Sequence, residues 1–267
     1  MIKVEKNIGA IPTSLIPAFS DLFPAGTNIP QTSNTTHQRR IEIINDGSYN
    51  EDYNDRYKLD DIRLALIAVY KHKCAFCEQK VEQYHVEHYR PKKIYYWLAF
   101  SWDNLIMACP NCNGPKGTNF DLGTGRTRII FNNTVANLKL INSSSARYDV
   151  IEEPKMVNPE VTNPKGLIRF QMSGIIESDD ERFKYTIEKC KIDRTYLNDD
   201  RRKILDVFRR DIRSAMLEPD PNIQKIRIST IVTKFVEDSK DDELPFLAFR
   251  RFAIDNGWLN IISKELN

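Results

Sequence analysis

The first sustained apolar rhythm along the chain begins at Leu59. Ile62, Ala65, Leu66, Val69 and Tyr70 recur at helical spacing and predict one amphipathic helix that delivers the chain to Cys74. Before it, residues 1–58 show little periodicity, and "AGTNIPQTSNTTHQRR" has the Ser/Thr/Asn/Pro content of a surface loop or connector. After it, residues 72–131 break into short pieces punctuated by Gly and Pro around an aromatic centre, "YYWLAFSW", and residues 132–168 read as loop. "GLIRFQMSGIIES" alternates as a strand pair turning at Ser173-Gly174. Beyond it the pattern is helical. Phe183, Ile187 and Cys190 share one face, Ile204, Leu205, Phe208, Ile212 and Met216 a second, and Ile223, Ile226, Ile231 and Phe235 a third. A last apolar run, "LPFLAFRRFAI", stops at Asn256-Gly257. The expected architecture is mainly α with a small β component. It divides into an irregular 1–58, a central module over 59–131 and a mainly helical 132–267.

Composition narrows the class without naming a function. A chain of 267 residues, 41% hydrophobic and 28% charged, is ordinary for a globular protein. No stretch approaches the roughly 20 apolar residues of a membrane helix, and Pro12 and Pro17 interrupt the signal-peptide layout at the N-terminus. The expectation is a cytoplasmic protein without membrane partners. The net charge of +2 is unevenly spread, because residues 71–128 hold nine Lys or Arg against five Asp or Glu. That local bias suits a phosphate-bearing partner.

Five cysteines in such a chain favour metal or catalysis over a disulfide framework. Cys74-x-x-Cys77 and Cys109-x-x-Cys112 together suit a tetrahedral zinc, each pair presenting two thiolates to one ion. A lone "CPNC" equally suits a redox pair, but such pairs open a helix in a βαβ unit and need no second pair. Cys190, on an apolar face, reads as a small buried hydrophobe, and His37 and His72 read as structural. Between the cysteine pairs lies "HVEHYRP", and Asn104 precedes the run into "CPNCNGPKG".

The layout C-x-x-C, acid-His-x-x-Pro, Asn-Leu, C-x-x-C-Asn-x-x-Lys resembles the HNH, or ββα-metal, nucleases with a zinc-stapled finger. The resemblance implies such a finger on a helical scaffold, with a structural Zn²⁺ on Cys74, Cys77, Cys109 and Cys112. Glu87 and Asn113 would hold a catalytic Mg²⁺ or other divalent ion, His88 would act as general base, and Asn104 would brace the hairpin loop. A carboxylate and an amide oxygen leave open positions on a hard ion for phosphate and water. A neutral imidazole of ordinary pKa near 6.5 takes the water's proton. Glu87 and His88 are neighbours and would face opposite ways in a regular strand, so the hairpin tip is expected to bend. His85 shares a face with Glu87 and is either a partner behind the ligands, a third ligand, or a packed histidine. Arg90, Lys92, Lys93 and Lys116 are the candidate phosphate contacts.

Two positions depart from the pattern. Glu87 stands where Asp is commoner, and Gly114-Pro115 falls where the finger's helix runs, so that helix is expected to start late, end early or be distorted. "MIKVEK", "CAFCE", "YYWLAFSWDNL", "CNGPKGTNF", "IRFQMSGIIES" and "TIEKCKIDRTYLNDDRR" extend the resemblance to the HNH subunits of Septu-type anti-phage systems. That implies DNA as substrate and a PtuA-like AAA/ABC-type ATPase subunit as partner, in some systems with retron RNA/DNA. The chain has no G-x-x-x-x-G-K-[ST] loop, so nucleotide control would come from the partner, with 180–260 as the expected docking region. The alternatives are a catalytically inert zinc-stapled assembly subunit and an HNH ribonuclease or tRNA-cutting toxin.

Overall fold

The computed structural model of the chain describes residues 1–17 and 35–266. Ten α-helices and four short strands occur among them, joined by 3₁₀ turns. Helix α1, Thr36–Asp46, starts where Thr35 accepts the Gln38 amide and ends at Gly47 in the left-handed region. Helix α2, Asp60–Tyr70, opens on two aspartates and buries Ile62, Leu66 and Tyr70, as the apolar rhythm predicts. Strands β1, His85–His88, and β2, Leu105–Ala108, pair antiparallel, with Glu87 opposite Ile106 and His88 opposite Leu105. Helix α3, Pro110–Lys116, follows β2 directly. Next come α4, Val135–Lys139, and α5, Ser144–Glu152. The hairpin β3, Arg169–Phe170, with β4, Ile176–Glu177, precedes α6, Glu181–Lys189. The long helices α7, Thr195–Met216, and α8, Pro221–Asp238, form an antiparallel pair, and α9, Leu247–Asp255, and α10, Trp258–Glu265, close the chain. The mainly helical class with a small β component is borne out. No helix among the described residues is long and apolar enough to cross a membrane.

Three expectations change. Residues 36–46 are helical although 1–58 reads as irregular, and α4 and α5 interrupt the loop expected over 132–168. The cause is shared by α1 and α5, whose buried faces are largely polar. Thr36, His37, Gln38 and Arg40 are buried in α1, and Ser144, Ser145 and Glu152 in α5, so no apolar stripe marks either helix. The connector reading of residues 18–34 lies outside the described residues. In α8 the error has the opposite sign, since only Phe235 of its apolar set is buried while Ile223 and Ile226 are exposed.

The β1–β2 pair sits at the centre of the core. Phe76, Tyr89, Tyr95, Phe100, Trp102, Leu105, Ile106 and Met107 are fully enclosed around it. The N-terminal segment crosses this core, where Lys6 donates to the Trp102 and Leu105 carbonyls and pairs with Glu160. The β3–β4 turn at Gly174, φ +88°, lies against the start of α7, and a Cβ there would meet the Asn198 carbonyl oxygen at 2.0 Å. Only glycine tolerates both the dihedral and the approach. The β3–β4 hairpin and the head of α7 are therefore in direct contact.

Candidate metal centres and active site

The first zinc knuckle is a tight reversal held by its own backbone. Cys74 N–H donates to Gln79 O at 3.0 Å, Glu78 N–H to Cys74 O at 3.0 Å, and Lys71, His72 and Glu78 all take positive φ. Ala75 N–H donates to Met107 O at 2.8 Å, which ties this knuckle to β2. The second knuckle is the start of α3, with Cys109 as N-cap and Asn113 N–H on Cys109 O at 2.9 Å. All four cysteines are buried, and their sulfurs lie within 4.8 Å of one another. Cys77 Sγ and Cys109 Sγ are 3.8 Å apart. A tetrahedron with bonds of about 2.3 Å has edges of about 3.8 Å, so the donor set fits Zn²⁺. Taken without a cation, the sulfurs share protons unevenly. Hydrogen bonds from Cys112, Cys74 and Cys77 drive Cys109 towards the thiolate, while burial holds Cys74 protonated. A divalent ion removes that conflict by letting all four ionise. Cys190 stays apart from the cluster, beside Met156, its thiol pushed up to about 12 by burial.

Helix α3 begins before Gly114 rather than after it. Pro110 occupies its first turn, where the missing N–H costs nothing, and Pro115 falls in its last. Cys112 and Asn113 thus sit in regular helix, and the distortion expected from Gly114-Pro115 is confined to the end. The helix lies over the His85/Glu87 face of β1. Asn113 Nδ2 is 2.7 Å from His85 Nδ1, and Lys116 Nζ donates to Glu87 Oε1 at 2.7 Å and to His88 O at 2.8 Å. His85, Glu87 and Asn113 are therefore brought together on one face.

His88 goes the other way. Strand β1 keeps its register through His88, so the expected bend is absent there and the ring turns inward, 4% exposed. Its Nε2 lies 2.9 Å from Ala99 O, and Tyr57 meets the ring edge-on at a centroid distance of 4.5 Å. With Nε2–H donating to that carbonyl, the lone pair is on Nδ1. Burial pulls the His88 pKa down to about 3, and Lys92 and Lys116 add to the shift. The near-neutral pKa expected from the free imidazole is not what the fold provides.

Asn104 is fully buried and ties the two ends of the 89–103 loop. Its Oδ1 accepts Arg90 N–H at 2.8 Å, and its Nδ2 donates to Arg90 O at 3.0 Å and Leu98 O at 3.1 Å. Such contacts suit a brace, and none of them faces a ligand.

Two of the four expected phosphate contacts need correcting. Arg90 is fully buried, ion-paired with Asp149 at 2.5 Å and with Glu152, and stacked near Tyr95 and Phe120. Its carboxylate partners lie on α5, which reads as loop from the sequence, so nothing there signals that the cation is already matched. Lys116 is likewise enclosed as the counter-ion of Glu87. Lys92 is held by Glu51, Asn54 and Tyr57, whereas Lys93 remains exposed, 3.8 Å from Glu51. The structure also adds Arg194, which no local motif marks. From the start of α7 its Nη1 donates to Cys112 Sγ at 3.3 Å, and its Nη2 lies 3.8 Å from both Cys77 Sγ and Cys109 Sγ.

Two antiparallel strands, a short helix and a four-cysteine cluster define the segment, and residues 74–119 match the family model for HNH endonucleases. The segment 74–119 is of the HNH type. The chain is similar to the Septu protein PtuB of Bacillus mycoides (strain KBAB4), 27% identical over 168 residues, 56% of this chain and 52% of that protein. It is also similar to the Septu protein PtuB of Bacillus thuringiensis, 41% identical over 61 residues, 21% of this chain and 24% of that protein. The chain thus spans about half the length of the first of these relatives and a quarter of the second. No solved structure matches it.

Proposed function

We propose that the chain is a metal-dependent HNH endonuclease that hydrolyses phosphodiester bonds of DNA, as effector subunit of an anti-phage defence complex with a PtuA-like ATPase. The observation that carries this reading is the cover of α3 over β1, which sets Asn113 beside the His85/Glu87 face. Lys116 engages one oxygen of Glu87, and His85 faces the nitrogen of the Asn113 amide, so one carboxylate oxygen and one amide oxygen are left as donors. That pair fits a hard divalent ion. Such an ion, when bound, supplies Lewis-acid stabilisation of the phosphate and the leaving oxygen.

The chain's residues supply the rest. His88 is neutral at physiological pH, with its Nδ1 lone pair free of the Ala99 contact. For that nitrogen to accept the proton of the attacking water, the end of β1 must turn the ring out of its buried position when substrate binds. A phosphate drawn into the site raises the imidazole pKa through its negative charge, which offsets part of the effect of burial. Asn104 holds the loop that carries Ala99 and so the imidazole's orientation. Of the four candidate phosphate contacts, Lys93 is the exposed one left for a backbone phosphate. For the ATPase, the "LPFLAFRRF" stretch offers little, because Phe246, Leu247 and Phe249 are core. The α7–α8 pair instead presents Val207, Leu217, Ile223 and Ile226 to solvent, and docking is assigned to it.

The burial of His88 and the Lys116–Glu87 ion pair favour a second reading, a catalytically inert zinc-stapled assembly subunit. The test is cleavage of plasmid DNA and of tRNA with Mg²⁺, Mn²⁺ or Ni²⁺, with and without the ATPase, comparing wild type with Glu87→Ala and His88→Gln. Plasmid cutting that falls by about 10²–10⁴-fold in either variant, at unchanged zinc content, supports the reading. No cutting by the wild type under any of these conditions supports the inert subunit, and cutting of tRNA alone supports a ribonuclease.

A further inference from the structure

Four thiolates on one Zn²⁺ carry a net charge of −2, and here all four sulfurs are buried. An uncompensated charge in such surroundings is costly, so a buried tetrathiolate centre needs counter-charge or hydrogen-bond donors close by. Among the described residues, one cationic side chain touches the sulfurs. Arg194 reaches three of them, Cys112 at 3.3 Å and Cys77 and Cys109 at 3.8 Å, and no carboxylate pairs with it. Its Nη1 also donates to Lys191 O at 3.0 Å, which fixes the guanidinium at the head of α7. A planar fork spans several acceptors at once, which a lysine ammonium does less well.

The same knuckle is held from a second C-terminal segment. Lys73 donates to the Asp242 and Leu244 carbonyls, Lys71 and Lys80 lie 3.8 and 3.6 Å from Glu243, and Ala248 N–H at the start of α9 donates to Glu78 Oε2 at 3.1 Å. The helices after residue 194 therefore meet the finger at its metal-binding turn, and Arg194 is the contact made with the sulfurs themselves.

We propose that Arg194 is the counter-charge of the tetrathiolate zinc centre, which makes that centre a joint shared by the HNH module and the C-terminal helices. The metal is retained because Arg194 is present, and the helices over 195–266 stay docked because the metal is. This rests on the zinc reading of the four cysteines and is independent of nuclease activity.

The experiment uses the zinc-loaded full chain as wild type, Arg194→Gln, Arg194→Lys and Arg210→Gln, the last an exposed cation on the same helix paired with Asp211. Zinc release to excess chelator is followed with a colorimetric indicator, and amide hydrogen exchange over 195–266 is compared in loaded and chelated protein. Arg194→Gln is expected to release zinc about 10–100-fold faster, Arg194→Lys to fall between, and Arg210→Gln to match wild type. Chelated wild type is expected to lose protection over the C-terminal helices. A wild-type release rate in Arg194→Gln overturns the proposal, as does full protection of 195–266 after zinc removal. A packing role alone lowers the melting temperature equally with and without zinc and leaves the release rate unchanged. Should the Gln variant fail to fold, the exchange comparison of zinc-loaded and chelated wild type decides, because full protection of 195–266 after zinc removal overturns the shared joint and its loss upholds it.

Discussion

The finger and the α7–α8 pair solve opposite problems. Around β1, β2 and α3 the protein encloses charges, with Arg90 between Asp149 and Glu152, Lys116 on Glu87, and four cysteines inside. Along α7 and α8 it leaves apolar side chains in water, with Leu217 81% and Ile226 64% exposed. A polar residue can be buried when a matched partner is delivered to it, and an apolar residue stays exposed when no element covers its face. Burial in this chain thus follows the supply of partners as much as hydrophobicity.

Removing a zinc ligand is the severest way to break the finger's side of that contrast. Cys77→Ser is expected to abolish tight zinc binding and cooperative folding of the central module, since binding of structural zinc is worth on the order of 10 kcal/mol of folding free energy. Elemental analysis and a thermal melt check this, and a cooperatively folded, zinc-loaded Cys77→Ser protein would refute it.

A pair of substitutions sharpens the helical side. Leu205→Ala, on the buried face of α7, is expected to cost about 2–5 kcal/mol. Ile226→Ala, on the exposed face of α8, should change stability by no more than about 0.5 kcal/mol, although both positions belong to apolar helical stripes. Chemical denaturation of the two variants measures this. Equal losses would mean that Ile226 is covered in the free chain.

The mildest test is an acid titration of stability. The folded-state pKa of His88 is depressed to about 3, below the ordinary value of about 6.5. Between those values the unfolded chain binds a proton that the folded chain refuses, so stability supplied by neutral His88 is fully present above about pH 6.5 and is lost as pH falls towards 3. Asp149, raised to about 6 by burial, works in the opposite sense and shallows the acid limb. Replacing His88 with non-titrating Gln should flatten the slope by up to about 1.4 kcal/mol per pH unit relative to wild type. Denaturation midpoints at pH 4, 5, 6 and 7 give the difference, and parallel curves would place His88 in contact with solvent.

The elements that showed through in the sequence are those whose chemistry is local. Two C-x-x-C pairs restrict what four sulfurs can do whatever surrounds them, and the apolar stripe of α2 or α6 needs only a core to face. The β3–β4 turn was equally legible, since Ser173-Gly174 provides the positive φ where the chain reverses. The polar-faced helices α1 and α5 were not. Their burial depends on partners such as the Leu15 and Phe100 carbonyls for Arg40 and the Arg90 guanidinium for Asp149 and Glu152, which come from distant parts of the chain.

The same division runs through the candidate site. Spacing marked Cys74, Cys77, Cys109 and Cys112 as one ligand set, and the resemblance to the HNH pattern added Glu87, His88 and Asn113 to it, because ligand identity travels with a local motif. Which cations of the set face outward was beyond the motif. Lys93 stays in solvent while Arg90 and Lys116 turn inside, and the ionisation of His88 follows from the depth at which its ring ends up. Arg194 joined the sulfurs from 82 residues beyond Cys112. Desolvation and charge pairing depend on every group within a few ångströms, and those neighbours exist only once the chain has folded.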